Sequence, residues 1–389
     1  MTIIFGPGVS LGAGVQALSP PPTYLWAWGS NVYGQLGLGD TANRSSPVQV
    51  GLLGTWSRAT AGYSSTAAIK TDGTLWTWGN NGGPGQLGLG DAVSRSSPVQ
   101  VGALTSWAAV AAGQNIMAAI KTDGTVWSWG NNYLGYLGLG NRTNYSSPVQ
   151  IGALNTWSKI TCTPGSFAAI KTDGTLWTWG KNNTGQLGLG DAVNRSSPVQ
   201  VGALTTWSNV SGATYGGSAY TSFIALKTDG TLWSWGKNDG AQLGLGTPGN
   251  YNTVSRSSPT QIGALTTWGV GKIGNKVGFA IKTTGTFFTW GTAYSGDQAD
   301  NRTSLQGWAG PTQVGALTDW WSSWDKVSMG NRTGFVIKSG GALWTWGDNS
   351  LGGLGSNNTA NTSSPVQLGS LNDWTLISAT KHVLAIANH

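Results

Sequence analysis

The sequence has 389 residues, a net charge of +7, 62 Gly and 23 Trp, and only 9% of its residues are charged. Its 14 acidic residues are all Asp, and a chain without Glu lacks a main helix-forming residue, which favours an all-β protein. No apolar run is long enough to span a bilayer, so membrane insertion is not expected, and the lone Cys162 forms no internal disulfide.

The basic residues are spread along the chain instead of forming one patch. Twelve of the 21 Lys and Arg residues recur near two places of a repeated segment: Lys70, Lys121, Lys171, Lys227, Lys282 and Lys338, and Arg44, Arg95, Arg142, Arg195, Arg256 and Arg302. Binding to nucleic acid needs a contiguous basic stripe. We therefore do not expect a nucleic-acid partner.

Residues 1–23 precede the repeated part of the chain. They contain FGPGVSLGAGV followed by Pro20, Pro21 and Pro22, and they lack the basic start of a signal peptide. This stretch resembles the short anchoring ends of bacteriophage structural proteins, and we interpret it as an extended arm that ends in a rigid spacer. The alternative is a disordered tail. The predicted domains are this arm, 1–23, and a repeat domain, 24–389.

A unit of about fifty residues fills the remainder of the chain, which is a length typical of propeller blades. Each unit closes an apolar strand with Trp-Gly, and seven such pairs occur, at Trp28, Trp78, Trp129, Trp179, Trp235, Trp290 and Trp346. Seven units of this length predict an all-β, seven-bladed β-propeller.

The unit that starts at Trp157 shows four short apolar runs, at 157–161, 167–171, 176–179 and 199–201. We interpret these runs as strands a, b, c and d of one four-stranded blade. Between strands b and c lies an Asp-Gly pair, which suits a type I′ hairpin turn. Alternation along strand c places both of its Trp residues on one face, where we expect them to fill the space between blades.

The phase of the repeat predicts how the ring closes. The chain enters at a strand c, residues 25–28, and leaves after a strand b, residues 383–387. One blade must therefore take strands c and d from the N-terminal segment and strands a and b from the C-terminal segment. Such a closed ring has no free sheet edges.

The motifs W-G-x-N-x-x-G-Q-L-G-L-G, S-S-P-V-Q-V and A-A-I-K-T-D-G-T resemble the regulator of chromosome condensation repeat family over residues 24–389. The resemblance implies the seven-bladed propeller. The family includes an exchange factor for a small GTPase, a plant ultraviolet receptor, large ubiquitin ligases and a bacterial inhibitor of β-lactamase. No functional residue is carried over from them, because a fold hosts many functions. The uniform units with GALTTW linkers look more like bacterial or bacteriophage members.

One side of the disc is predicted to bind a partner. The a-b and c-d loops vary in length and content, whereas the b-c hairpins and d-a linkers are nearly invariant within the chain. Tyr residues give wide contact area at little entropic cost. The candidate binding residues on the variable side are Tyr33, Tyr63, Tyr133, Tyr136, Tyr145, Tyr215, Tyr220, Tyr251 and Tyr294, with Arg302 and Trp308 in the longest insertion. The alternative is that these loops drift and the Tyr rings cover blade ends.

Catalysis is not expected. His382 and His389 are the two His residues, and neither lies in a repeated or clustered setting that would suit a hydrolytic triad. No phosphate-binding loop, cofactor motif or zinc site occurs. The segment with Asp297 and Asp300 offers several oxygens, but it lacks the spacing of a recognised calcium loop, so no metal site is predicted.

These observations favour a non-enzymatic binding protein, and the leading hypothesis is a bacteriophage tail or fibre component. Residues 1–23 would contact other virion proteins, and the variable loops would recognise a host surface protein or glycan, with homo-oligomerisation in the particle left open. The expected location is the virion. Two alternatives remain, namely a soluble bacterial inhibitor or effector, secreted or cytoplasmic, and a glycan-binding lectin.

Overall fold

A computed structural model describes residues 21–52, 54–213, 221–247, 252–292, 299, 307–321 and 323–388. These residues form seven sheets, each of four antiparallel strands, which confirms the predicted all-β, seven-bladed β-propeller. No helix in the described part of the chain is long and apolar enough to cross a membrane.

The strands are numbered along the chain, and blades are numbered from the first one that is continuous in sequence. Blade 1 contains β3 (Trp56–Ala61), β4 (Ser65–Lys70), β5 (Leu75–Gly79) and β6 (Arg95–Gln100). Blade 2 contains β7 (Trp107–Ala112), β8 (Ile116–Lys121), β9 (Val126–Gly130) and β10 (Tyr145–Gln150). Blade 3 contains β11 (Trp157–Cys162), β12 (Ser166–Lys171), β13 (Leu176–Gly180) and β14 (Arg195–Gln200). Blade 4 contains β15 (Trp207–Gly212), β16 (Ser222–Lys227), β17 (Leu232–Gly236) and β18 (Arg256–Gln261). Blade 5 contains β19 (Trp268–Ile273), β20 (Val277–Lys282), β21 (Phe287–Gly291) and β22 (Trp308–Gln313). Blade 6 contains β23 (Val327–Met329), β24 (Thr333–Ile337), β25 (Leu343–Gly347) and β26 (Thr362–Gln367), and blade 7 contains β27 (Trp374–Ala379), β28 (His382–Ala387), β1 (Tyr24–Gly29) and β2 (Arg44–Gln49).

Blade 7 closes the ring as the phase of the repeat predicts. Its strand order is β2-β1-β28-β27, so two strands come from each end of the chain. Strands β1 and β28 pair over six residues without a shift, from Tyr24 opposite Ala387 to Gly29 opposite His382. The junction of the two chain ends is therefore a regular antiparallel ladder.

His382 adds a polar contact to this closure. Its Nε2 lies 2.7 Å from Oγ1 of Thr66 in blade 1, and that hydroxyl donates to the backbone oxygen of Gln35 at 2.8 Å. Because a hydroxyl carries one hydrogen, Nε2 is the donor to Thr66. The side chain is fully buried, and burial lowers the pKa of His382 from 6.5 to about 3. His382 is thus a neutral structural residue that joins the C-terminal strand, the first loop of the chain and blade 1.

Acidification is expected to weaken the fold through His382. Below pH 6.5 the unfolded chain binds a proton at this residue while the folded protein does not, so stability that is present above pH 6.5 is lost as the pH falls toward 3. One such proton gives a loss of about 2 kcal/mol between pH 7 and pH 5. Urea unfolding of wild type and His382→Gln at both pH values measures it. Equal pH dependence of the two proteins would contradict the assignment.

Trp residues from strands a and c build the contacts between blades. In blade 1, Trp56 meets Trp76 and Trp78 edge-on at ring distances of 6.3 and 5.9 Å. Trp78 is fully buried and its Nε1 donates to the backbone oxygen of Gln35 in blade 7 at 2.9 Å. Trp76 is only partly buried, and its Nε1 donates within its own blade. Of the two Trp residues on strand c, the second therefore makes the link between blades.

The Lys residues at the end of strand b cap these Trp groups. In blade 3, Nζ of Lys171 lies 3.7 Å from the ring centre of Trp177 and 5.0 Å from that of Trp157. Burial lowers the pKa of Lys171, which is consistent with a cation held largely away from water. The same arrangement recurs at Lys70, Lys121, Lys227 and Lys338, and Lys282 lies over Phe288. This set of recurring cations is therefore part of the blade architecture.

Strand d differs from its prediction. In blade 3 it spans Arg195–Gln200 and so begins four residues before the predicted run at 199. Its pairing with strand c is irregular between Thr178 and Gly180, and its Ser and Pro residues lack the alternation by which a strand is identified in sequence. Arg195 at its start pairs with Asp191 at 2.5 Å, and Arg44 and Arg95 form the same pair in their blades.

Candidate binding surfaces

The two sides of the disc carry different loops. We call the side with the a-b and c-d loops the variable face and the side with the b-c and d-a loops the constant face. The c-d loop has 14 residues between Gly29 and Arg44 but 19 between Gly236 and Arg256, so its length changes as predicted. A buried Asn holds the c-d loop of blade 7, since Oδ1 of Asn31 accepts from the backbone N–H of Leu36 at 2.9 Å. This hydrogen bond thus fixes the conformation of the loop from within.

Two predicted Tyr residues project from the variable face. Tyr33 is 48% exposed and Tyr133 is 72% exposed, and each lies near the start of a c-d loop, in blades 7 and 2. The backbone N–H of Tyr33 donates to Oε1 of Gln35 at 2.9 Å, and that of Tyr133 donates to Oδ1 of Asn131 at 2.9 Å. Both aromatic side chains are therefore presented from loops with fixed backbones.

Three other predicted Tyr residues are partly buried. Nζ of Lys381 lies 4.1 Å from the ring centre of Tyr63, which joins blades 7 and 1. Tyr136 and Tyr145 pack against the core cluster between blades 2 and 3, and burial raises the pKa of Tyr136. These three Tyr rings pack against the blades, and their part in binding stays a prediction.

Several candidate residues lie outside the described part of the chain. They are Tyr215, Tyr220, Tyr251, Tyr294 and Arg302, together with Asp297 and Asp300. The binding roles of the four Tyr residues and Arg302 stay predictions, and no metal site is predicted at the two Asp residues.

Trp308 is placed differently from its prediction. It is not inside a loop but is the first residue of β22, opposite Gly291. Arg44 and Arg95 hold this position in blades 7 and 1, and Tyr145 holds it in blade 2. Trp308 is partly buried against the cluster between blades 4 and 5, so its aromatic ring extends the core.

The constant face is less uniform than predicted. Thirteen residues separate Gln313 from Val327, against six between Gln100 and Trp107, and the extra residues include a 3-10 helix, Trp324–Lys326. The d-a linkers also expose a Leu at one repeated position, with 38% to 51% of each side chain accessible: Leu104, Leu154, Leu204, Leu265, Leu317 and Leu371. Both features have a signal in the sequence. The exposed Leu belongs to the repeated GALTTW pattern, and DWWSSWDK, where that pattern is interrupted, contains the 3-10 helix.

The inner strands surround a central cavity of about 510 Å³. Arg58, Lys159 and Lys272 line it from blades 1, 3 and 5, and Trp324 and Asp325 enter it from the 3-10 helix. Arg58 and Asp325 form an ion pair at 3.6 Å, and Nζ of Lys272 lies 5.0 Å from the ring centre of Trp324. None of these five residues is a candidate from the sequence. Arg58, Lys159 and Lys272 lie on strand a, which is otherwise expected to be a buried apolar strand, and Trp324 and Asp325 lie in a linker.

Hydrogen bonds also connect the inner strands of neighbouring blades. Hydroxyl groups of strand a accept hydrogen bonds from backbone N–H groups of the next blade. The N–H of Ala61 donates to Oγ of Ser378 at 3.0 Å, and the N–H of Gly212 donates to Oγ1 of Thr161 at 3.2 Å. Lys272 occupies the matching position in blade 5, since it faces Phe279 as Thr161 faces Ala168. Blade 5 therefore carries an amine where these blades carry a hydroxyl.

Burial lowers the pKa of the lysines in and beside the central cavity. It lowers the pKa of Lys272 from 10.5 to about 8, and the carboxylate of Asp325 partly offsets that effect. The pKa values of Lys159 and Lys326 are lowered for the same reason and are likewise raised in part by Asp325. One carboxylate is thus shared among several amines.

Residues 24–323 match the RCC1-like domain, and residues 340–386 match the regulator of chromosome condensation repeat. The chain belongs to the RCC1-like domain family. The match covers most of the propeller, and it agrees with the resemblance carried by the Trp-Gly and Asp-Gly motifs.

Several relatives of this RCC1-like chain share part of its length. A probable E3 ubiquitin-protein ligase, HERC6 of Homo sapiens, is 32% identical over 34% of this chain and 13% of its own length. The mitochondrial RCC1 domain-containing protein RUG3 of Arabidopsis thaliana is 36% identical over 28% of this chain and 25% of its own length. The ultraviolet-B receptor UVR8 of the same plant is 34% identical over 29% of this chain and 26% of its own length. This chain therefore spans about a quarter or less of these relatives.

Solved structures show the same fold. Human WBSCR16 superposes with a TM-score of 0.80 at 20% identity, covering 94% of this chain and 98% of its own. Prp20p of Saccharomyces cerevisiae superposes with a TM-score of 0.79 at 16% identity, covering 95% of this chain and 92% of its own. At such identities the likeness concerns the propeller architecture alone.

Reactive groups in the described residues have structural explanations. Cys162 is buried, and burial raises the pKa of its thiol, so a nucleophilic thiolate is disfavoured. His382 is neutral and buried in the ring closure. Among the residues that the structure describes, no three His, Cys or Asp side chains come together in a way that would hold a metal ion.

Proposed function

We propose that this RCC1-like propeller is a non-catalytic binding module and that its partner docks on the variable face. The observation that carries the proposal is the pair of exposed Tyr residues, Tyr33 and Tyr133, on c-d loops whose backbones are fixed by side-chain hydrogen bonds. Aromatic residues held in place before binding lose little entropy on contact and often dominate interface energies. A rigid ring of blades with such loops suits recognition.

The experiment compares the two faces directly. Affinity chromatography with wild type identifies a bound protein or glycan, whose affinity is then measured for Tyr33→Ser/Tyr133→Ser and for Leu104→Ser/Leu204→Ser. Loss of an aromatic anchor costs about 1 to 2 kcal/mol, so the Tyr variant is expected to bind at least about tenfold more weakly. The Leu variant, which changes exposed side chains of the constant face, is expected to keep its affinity. The reverse pattern would contradict docking on the variable face.

We further propose that the module is a bacteriophage virion component, of the tail or fibre, which recognises a host surface protein or glycan. The support is residues 1–23, whose Gly- and Pro-rich sequence resembles phage anchoring ends and would reach other virion proteins. Deleting residues 1–23 is the test, because unchanged assembly of the particle would contradict the anchoring role. Two binding experiments distinguish the alternatives from the virion component. Binding to a soluble bacterial protein would favour the inhibitor, and binding to a glycan on an array would favour the lectin.

A further inference from the structure

The central channel carries more positive charge than its own residues neutralise. Three lining residues are cationic, Arg58, Lys159 and Lys272, and one is anionic, Asp325, which leaves a net charge of +2 on the described lining. The cations come from blades 1, 3 and 5, so they approach the cavity from different sides of the ring. Charges arranged in this way attract an anion placed between them.

The internal carboxylate does not saturate these cations. Arg58 and Asp325 are 49% and 58% exposed and 3.6 Å apart, and an ion pair so open to water is weak. Lys159 donates to the backbone oxygen of Ser208 at 2.5 Å, which orients the amine without neutralising it. Lys272 lies over the ring of Trp324, and burial lowers its pKa, so its charged form is favoured when an anion lies beside it.

The hydroxyl groups of the inner strands supply further donors. Ser378 and Thr161 accept backbone N–H groups from the next blade, so each keeps its own O–H hydrogen for another acceptor. Both residues line the cavity, as do Ser211 and Asn209. Amines, a guanidinium and hydroxyls around one space match an acceptor-rich ligand with several negative charges.

We propose that the central channel is a binding site for a small multivalent anion of the phosphate class, held between Arg58, Lys159 and Lys272. The anion enters from the constant face, where the 3-10 helix Trp324–Lys326 borders the channel. A cavity of about 510 Å³ lies in the range of small-molecule sites and holds a pyrophosphate-sized ligand, whereas a nucleic-acid helix does not fit. Asp325 competes with the ligand for the same cations and sets its affinity.

Calorimetric titration of the full chain with inorganic pyrophosphate at low ionic strength tests the site. Arg58→Met and Lys272→Met each remove a charge-assisted hydrogen bond and are expected to weaken binding at least about tenfold. Arg142→Met removes the same charge from an exposed residue of the blade 2 c-d loop and is expected to leave the affinity unchanged. Equal losses of affinity in all three variants would show that binding depends only on the net charge of the protein and would overturn the proposal. The absence of measurable binding by wild type would overturn it as well.

Asp325→Asn gives a readout that loss of folding cannot imitate. Removing the competing carboxylate is expected to strengthen pyrophosphate binding several-fold, and an unchanged or weaker affinity overturns the proposal. Unfolding curves of each variant, recorded without ligand, show whether the propeller is intact. Because this site lies between the inner strands and not among the c-d loops, its failure leaves the Tyr test of the variable face unaffected.

A titration with sulfate, whose charge is constant from pH 7 to 9.5, isolates the channel amines. Lys272 loses its proton near pH 8, so wild-type affinity is expected to fall as the pH rises through that value, while Lys272→Met keeps a flatter profile. Arg58 stays charged throughout, and Asp325 faces the same space. Lys159 also lines the cavity and Lys326 lies next to Asp325, and burial lowers the pKa of both, so Lys272→Met is the variant that isolates Lys272. Identical profiles for the two proteins would contradict the role of Lys272.

Discussion

Replacing Trp78 with Ala is expected to lower the free energy of unfolding by about 4 kcal/mol, in the range measured for large buried aromatic residues. Trp78 is fully buried and packs on Trp56 at a ring distance of 5.9 Å. Its Nε1 donates to Gln35 of blade 7, and Gly37 approaches so closely that a Cβ there would lie 2.7 Å from that nitrogen. The variant therefore loses a link between blades as well as a side chain.

The matched control is Trp76→Phe on the same strand. Trp76 is partly buried, and Phe288 holds its position in blade 5, where it packs on Trp268 at 5.2 Å. This change is expected to cost less than about 1 kcal/mol, as swaps that nearly conserve shape do. Urea denaturation of both variants measures the difference. Similar losses would show that the two Trp residues of strand c are equivalent, contrary to the structure.

Gly124→Ala is expected to destabilise the protein by about 3 kcal/mol, which combines strained backbone with a steric clash. Gly124 lies in the b-c turn of blade 2 with φ of +79°, a conformation that side chains disfavour. A Cβ at this position would lie 2.1 Å from the backbone oxygen of Asn155, in the linker to blade 3. The turn and the linker would have to separate to accept a methyl group.

Gly152→Ala separates the two causes. Gly152 also has a positive φ, +58°, but a Cβ there meets nothing within 4 Å. This variant carries the backbone cost alone, about 1 kcal/mol, so thermal unfolding should place it between wild type and Gly124→Ala. If the two variants were equally stable, close contact of turn and linker would not contribute.

The fold could be predicted in detail because its signals are local and repeated. Trp-Gly at the end of strand c and Asp-Gly in the b-c turn give the unit, and their phase gives the shared blade. Strand d was placed too late in the chain because its Ser and Pro residues do not alternate with apolar ones. The difference between Trp76 and Trp78 depends on the neighbouring blade, which a single unit does not reveal.

The candidate sites were predicted less completely, for a physical reason. Tyr33 and Tyr133 were found because loop position and residue type suffice to predict an exposed aromatic side chain. Arg58, Lys159 and Lys272 are about a hundred residues apart in sequence, and ring closure alone brings them to one cavity. Only the departure from the repeat, an amine in place of a hydroxyl, marks Lys272 in the sequence.

The ladder between β1 and β28 also determines how the ring would respond to mechanical load. Tyr24, where β1 begins, lies opposite Ala387, where β28 ends, so the chain enters β1 and leaves β28 at the same end of these two paired strands. Tension between these ends acts perpendicular to the strands, so the hydrogen bonds of the ladder break one after another from that end. A pull along the strands would instead load all of the bonds at once. The ring that this ladder closes is therefore expected to open at this one seam under tension between its ends.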